Sequence, residues 1–146
     1  MLFSSMASIS LEEFSRLIQD SLPFARQLGV EVVELSGDRA VFRLPYREDF
    51  LRPGGTISGP MMMGLADLAM YGLVMSAIGR AELAVTTNLS INFLRRPPPQ
   101  DLEARARLLK LGKRLAVGEV ELYSAGEADM VAHVVATYSL PPDAVV

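Results

Sequence analysis

Residues 54–79 read GGTISGPMMMGLADLAMYGLVMSAIG, and this stretch decides the fold. Pro60 suits the first turn of a helix and Gly79 the position just beyond its end, so we predict one long helix between them. Its residues are apolar on nearly every side, which indicates a helix buried on nearly every side. Asp67 is the only charged residue of the stretch. A carboxylate among apolar groups is costly unless it is paired or used.

The turn before this helix is rich in glycine and proline. The first N–H groups of a helix have no partner within the helix, so they can hold a negatively charged oxygen. An acid and such a cradle on one short segment indicate chemistry on an acyl group.

The flanking sequence predicts the remaining elements. Ser10 and Glu13 have the spacing of a capping box, and Pro23 ends the short amphipathic helix that follows them. Alternating apolar residues bounded by turn signals predict the strands. We predict a helix over about 10–21, a further turn over 24–29, strands at 30–35, 39–45, 85–94, 102–111, 116–123 and 130–140, and a loop over 46–57.

This order of elements predicts an α+β fold. A single antiparallel sheet of about six strands, wrapped around one long central α-helix, would bury the apolar helix on one side. We expect one domain over 1–146, with a core at about 25–140 and a loose tail at 141–146. The uncovered side of the helix and the free sheet edges favour pairing with a second copy of the chain.

Composition narrows the classes of function. The chain has 146 residues, 50% of them hydrophobic, and a net charge of −3, so nucleic acid is not an expected partner. With no cysteine and a single histidine, His133, disulfides, thiolate nucleophiles and histidine metal clusters within one subunit are excluded. The N-terminus lacks the pattern of a signal peptide, which favours a cytoplasmic protein. Pro60 interrupts the apolar run, so we expect no membrane span.

Three motifs resemble one known family. They are Gly55-Thr56-Ile57-Ser58-Gly59-Pro60, Leu65-Ala66-Asp67-Leu68-Ala69 and Ala84-Val85-Thr86-Thr87-Asn88-Leu89-Ser90-Ile91-Asn92-Phe93. In these segments the chain resembles the hotdog-fold, PaaI-like acyl-CoA thioesterases, over roughly residues 25–140.

The resemblance implies roles for three residues. Asp67 matches the catalytic acid of the family, and Gly59 matches the glycine whose backbone N–H polarises the thioester carbonyl. Thr86 falls where a Ser or Thr often helps to hold water. The chain departs from the family in carrying Ser58 where His is usual and Arg52 where Asn is common.

The resemblance also implies an assembly and a reaction. It implies a homodimer with a shared sheet, often paired into a dimer of dimers, with Gly59 from one chain facing Asp67 of the other. Asp67 would activate water or attack the thioester directly, and the products would be a carboxylic acid and free coenzyme A. The resemblance implies no metal or redox cofactor. Coenzyme A takes part only as a portion of the substrate.

Further side chains are candidates for substrate contact. Flexible or aromatic residues on the helix suit an acyl pocket, polar residues near the turn and on the strand suit the carbonyl or water, and basic residues suit coenzyme A phosphates. These candidates are Met63, Met70, Tyr71, Ser58, Asn88, Arg52, Lys113 and Arg114. These residues also have structural interpretations. The methionines would belong to the core, Ser58 would cap the helix, Asn88 would be an alternating strand residue, and Lys113 and Arg114 would be solvated charges in a turn.

Two alternative functions remain at this point. A non-catalytic hotdog protein that binds acyl-CoA or lipid is favoured by the Ser58 and Arg52 departures. A dimerising structural module would neither bind nor hydrolyse acyl-CoA.

Overall fold

The computed structural model of the protein describes residues 6–142 and contains a six-stranded antiparallel sheet, a two-stranded hairpin and, in the described residues, three α-helices. The six strands follow the order β1-β2-β6-β7-β8-β5. The elements are α1 Leu11–Ser21, α2 Pro23–Leu28, β1 Glu31–Leu35, β2 Arg39–Leu44, β3 Leu51–Arg52, β4 Thr56–Ile57, α3 Gly59–Ile78, β5 Val85–Phe93, β6 Leu102–Leu111, β7 Leu115–Ser124 and β8 Met130–Ser139.

The central helix α3 contacts every strand of the six-stranded sheet. Leu65, Ala69 and Leu73 are fully buried along it, as expected for a helix without a polar stripe. By length and composition alone α3 could cross a membrane, but most of it is buried inside the fold. The predicted antiparallel sheet around one long helix is therefore confirmed, and the helix serves as the core.

Glycines set how closely α3 lies on the sheet. A β-carbon on Gly72 would come within 2.8 Å of Cε1 of Phe42. Only glycine therefore lets this ring of β2 pack directly against the backbone of α3. Met70 makes the converse contact, with its sulfur seated where Gly118 of β7 leaves space. These contacts fix the orientation of the helix and thus the direction in which Asp67 points.

Most local predictions agree with the structure. The Ser10 hydroxyl accepts from the Glu13 N–H at 3.0 Å, and the reciprocal bond of the capping box is also present. The segment expected as a loop at 46–57 contains the small hairpin β3–β4. Of the tail expected to be loose, residues 143–146 lie outside the described part of the chain.

The sheet ends in two edge strands, β1 and β5. The nine-residue β5 pairs only with β8 among the described strands, and it exposes Val85 and Phe93 at its two ends. A long, exposed edge strand is a template for pairing with another strand. It lies beside the helix face that carries Asp67.

Candidate active site

The carboxylate of Asp67 is held by two hydroxyl groups. Oγ1 of Thr86 donates to Oδ1 at 2.6 Å, and the Tyr138 hydroxyl lies 2.9 Å from the same oxygen. The Tyr138 hydroxyl is also 3.0 Å from the Asp67 backbone carbonyl. Oδ2 accepts no hydrogen bond from residues 6–142, so one carboxylate oxygen is anchored and the other is free to act.

Sheet register brings the two hydroxyl donors together. Thr86 of β5 and Tyr138 of β8 are directly paired across the ladder. A β-bulge follows at once, because the register shifts between Thr86 and Asn88. Strict strand alternation predicts that Thr86 and Asn88 lie on one face of the sheet, but the bulge interrupts the alternation, so this prediction is wrong.

The Tyr138 side chain is neutral when it meets the acid. It is 2% exposed, and burial, with the Asp67 charge as a second cause, raises the pKa of Tyr138 far above its ordinary value. A protonated phenol beside a carboxylate is a hydrogen-bond donor, so Tyr138 orients Asp67 and does not compete with it for protons.

A cleft of about 480 Å³ opens beside Asp67. Its walls are mostly apolar and come from the α1–α2 junction, the exposed side of α3, the α3–β5 connection with the start of β5, and Tyr138 of β8. They are Leu22, Pro23, Phe24, Ala25, Gly64, Leu68, Tyr71, Glu82, Ala84, Val85, Thr86 and Tyr138. The cleft has the size and composition of a small-molecule site with a few placed polar groups.

Gly59 opens into a different groove, at the other end of β5. This second groove measures about 230 Å³, and Phe93 and three arginines, Arg52, Arg95 and Arg96, help to line it. Arg95 pairs with Asp129 at 3.5 Å, whereas Arg52 and Arg96 form no ion pair with any described residue. No acid lines this groove, which makes it locally positive in a chain of net negative charge.

The N-terminus of α3 is not capped by a side chain. Ser58 occupies the N-cap position, as its structural interpretation predicts, but its hydroxyl makes no capping bond. The N–H groups of Met61 and Met62 bond to the Ser58 carbonyl instead, and the Gly59 N–H finds no acceptor within residues 6–142. An unused N–H at a helix start is a ready donor for a negative oxygen.

The acid and this N–H are far apart within one chain. Eight residues of helix separate Gly59 from Asp67, which is about 12 Å along the axis. The two groups also face different pockets. One thioester carbon cannot lie within reach of both groups in a single subunit.

Of the other candidate residues, two line a pocket and the rest do not. Tyr71 lines the cleft and Arg52 the second groove. Met70 is fully buried in the core against Gly118, away from both pockets. The remaining candidates line neither pocket: Met63 is exposed on α3, Asn88 interacts with Ser90, and Lys113 and Arg114 lie in the β6–β7 turn.

Sequence reasoning missed Tyr138 and Phe24. Tyr138 occupies an inward position of an alternating strand, so its pattern is that of an ordinary core residue. Its contact with Asp67 depends on which strand lies beside β5. Thr86 was expected to hold water, yet its hydroxyl donates to the acid itself.

Comparisons with known proteins identify the family of the chain. A family model described as the thioesterase superfamily matches residues 54–131, more than half of the chain. A candidate esterase from Saccharolobus solfataricus is 34% identical over 98 residues, which cover 67% of this chain and 69% of that protein.

Solved structures extend the likeness to the whole fold. The crystal structure of a candidate thioesterase from a Silicibacter species is 41% identical, covers 95% of this chain and 96% of its own, and has a TM-score of 0.85. A variant of the phenylacetic acid degradation protein PaaI from Thermus thermophilus is 30% identical, covers 80% of this chain and 97% of its own, and has a TM-score of 0.71.

The buried tyrosines predict a loss of stability in alkali. Burial, with the Glu82 charge as a second cause, raises the pKa of Tyr71 to about 12, and the pKa of Tyr138 is raised further. An unfolded tyrosine ionises near pH 10, so above that pH the unfolded chain releases protons that the folded chain retains. The stabilisation is complete below about pH 10 and is lost as the pH rises towards 12 and beyond.

We therefore expect the free energy of unfolding to fall above about pH 10 by up to about 1.4 kcal/mol per pH unit for each tyrosine. Denaturant unfolding at several alkaline pH values measures this slope. Tyr71→Phe and Tyr138→Phe should each reduce it. A flat profile for the unaltered protein between about pH 10 and 12 contradicts the prediction.

Proposed function

The chain belongs to the thioesterase superfamily and has the hotdog fold of PaaI-like proteins, and on that premise we propose that it hydrolyses acyl-coenzyme A to a carboxylic acid and free coenzyme A. Its relatives support a thioester hydrolase in general. The observation that carries the proposal is the arrangement at Asp67, where two hydroxyl donors share Oδ1 and leave Oδ2 free beside a cleft.

The proposed reaction uses this asymmetry. Oδ2 of Asp67 takes a proton from a water molecule as the water oxygen attacks the thioester carbon. The carbon–sulfur bond then breaks, and the leaving thiolate recovers a proton from the protonated Asp67. Direct attack by Oδ2 on the same carbon, followed by hydrolysis of the anhydride, balances equally well. Either route uses the geometry of one anchored and one free oxygen.

The N–H of Gly59 is proposed to hold the oxyanion. Donors of this kind contribute about 3–4 kcal/mol to transition-state stabilisation, and the helix N-terminus adds a favourable dipole. Pro60 has no N–H to offer, so Gly59 is the donor at the helix start nearest to the second groove. The Ser58 hydroxyl is a second possible donor to the same carbonyl oxygen.

A homodimer would complete this site. The acid and the oxyanion donor of one chain are too far apart to share a substrate, and the unpaired edge of β5 runs between them. Pairing of β5 with β5 of a second copy would bring each Asp67 towards the Gly59 of its partner. The same pairing would remove an exposed strand edge from solvent.

The arginine-lined groove supports coenzyme A as the carrier. Coenzyme A carries phosphate groups at the end remote from its sulfur, and guanidinium groups bind phosphate well. Arg52 and Arg96 lie beside Gly59, have no acidic partner among the described residues and face solvent. A substrate whose carbonyl oxygen reaches Gly59 would leave along this groove, and a bent pantetheine arm would bring its phosphates back onto these arginines.

Replacement of the acid tests the chemistry. We expect Asp67→Asn to lower kcat by about 100- to 10,000-fold, because the amide cannot accept the proton, while acyl-CoA still binds. Thiol release measured with a panel of acyl-CoA substrates gives kcat, and calorimetry with a non-hydrolysable acyl-CoA analogue gives affinity. Asp38→Asn, a half-buried aspartate in the β1–β2 turn, is the matched control and should leave both unchanged.

The same assays separate the competing functions. Measurable affinity for acyl-CoA without thiol release from any substrate would support the acyl-CoA-binding alternative. Full activity in Asp67→Asn would refute the assigned role of the acid.

Mixed dimers test the shared site. Gly59→Pro removes the N–H, and Ser58 already has the extended conformation that precedes proline. Because the new β-carbon would lie 3.3 Å from Cζ of Phe93 and position 59 precedes Pro60, thermal unfolding of this variant must match that of the unaltered protein. Each of Gly59→Pro and Asp67→Asn should be inactive alone. After joint refolding, one of the two sites in each mixed dimer has both native residues, so activity should return. No recovery, with mixed dimers shown to form, would place the site within one chain.

Arginine removal tests the carrier. The double variant Arg52→Ala/Arg96→Ala should raise KM for acyl-CoA about tenfold with little change in kcat, because each exposed ion pair is worth up to about 1 kcal/mol. The KM for the matching N-acetylcysteamine thioester, which has no phosphate, should not change. Arg43→Ala, at an exposed arginine outside both pockets, is the control. An equal rise in KM for both substrates would exclude a phosphate contact.

A further inference from the structure

Phe24 packs against the central helix although it is largely exposed to solvent. Its ring is 57% exposed, yet it rests directly over Gly64 of α3. A β-carbon on Gly64 would lie 3.1 Å from Cε2 and 3.4 Å from Cζ of that ring. Glycine at this position therefore lets the ring approach the helix more closely than any other residue would allow.

Gly64 places the ring beside the acid. Residues three apart on a helix are neighbours on one face, so Gly64 and Asp67 share the surface that borders the cleft. Both line it together with Phe24. A glycine inside a helix is less favourable than alanine, and here its effect is to seat an aromatic ring one turn from the proposed site of attack.

The cleft is the space left for the acyl group. In the proposed reaction the thioester carbon lies near Oδ2 of Asp67, and the coenzyme A part extends towards an arginine-lined groove. The acyl group must then enter the apolar walls around Asp67. Phe24 stands on the α2 side of this space, and Leu68 and Tyr71 come from α3.

We propose that Phe24, seated on Gly64, is the wall that limits the size of the acyl group and restricts the enzyme to compact acyl chains. This inference rests on the proposed thioesterase function. The ring is fixed against the helix on one side and has no comparable support on its solvent side. Its removal would extend the cleft along α2 without touching the hydroxyls that hold Asp67.

A series of acyl-coenzyme A substrates of increasing chain length tests whether Phe24 limits the acyl group. The kcat/KM for butyryl-, octanoyl- and dodecanoyl-coenzyme A is measured by thiol release in the unaltered protein and in Phe24→Ala. We expect Phe24→Ala to raise the ratio of dodecanoyl to butyryl turnover by about tenfold or more, since apolar pockets discriminate chain size by roughly 10- to 200-fold. Phe24→Leu should give an intermediate ratio.

A second pair of variants tests the packing of Phe24 on Gly64. Gly64→Ala should push the ring away from α3 and change the ratio of octanoyl- to butyryl-coenzyme A turnover from that of the unaltered protein. Adding Phe24→Ala should suppress that effect, because the new methyl group then meets no ring. Leu109→Ala, an apolar side chain on β6 that is 42% exposed and lines no described pocket, should leave every ratio unchanged.

The outcomes separate the two proposals. If the unaltered protein and Phe24→Ala hydrolyse the series with the same ratios, the wall is refuted and the thioesterase function stands. If the unaltered protein releases thiol from none of the substrates, the proposed function fails and the wall fails with it. Thermal unfolding of each variant confirms that a changed ratio does not come from a damaged fold.

Discussion

The structure depends on the way one carboxylate is held on an otherwise apolar helix. Asp67 could not remain beside the core without partners, and the sheet supplies them as two hydroxyls from paired positions on adjacent strands. Both hydroxyls act on the same oxygen. This leaves the carboxylate oriented but with one oxygen unbonded among the described residues, which is what the proposed hydrolysis requires.

The architecture divides the proposed chemistry between two ends of one strand. At the start of β5 lies the acid with an apolar cleft, and at its end lies an uncapped helix N-terminus with a positive groove. Each half suits one part of a thioester substrate: the acyl group in the first and the charged carrier in the second. Because neither half is complete alone, the exposed strand between them is also the natural place for a partner.

Much of this was predictable from sequence, and the failures have a common cause. The capping box at Ser10, the buried central helix and the strand alternation depend on local patterns, and these predictions were confirmed. Tyr138 as a partner of Asp67 and the bulge after Thr86 both depend on which strand lies beside β5. Strand order and side-chain direction across a sheet are set by distant parts of the chain, so no local pattern could reveal them.

The separation in sequence between Asp67 and its phenolic partner has a consequence for folding. The donor lies 71 residues after the acid, on β8. Until β8 pairs with β5 and β7, Asp67 lacks one of the two hydroxyls that hold it and β5 has no strand beside it. Because contacts between distant residues form late in folding, Asp67 gains the Tyr138 hydroxyl only after most of the sheet has formed. A chain that lacks β8 would lose the Tyr138 hydroxyl and would leave both β7 and β5 unpaired along one edge, which favours aggregation.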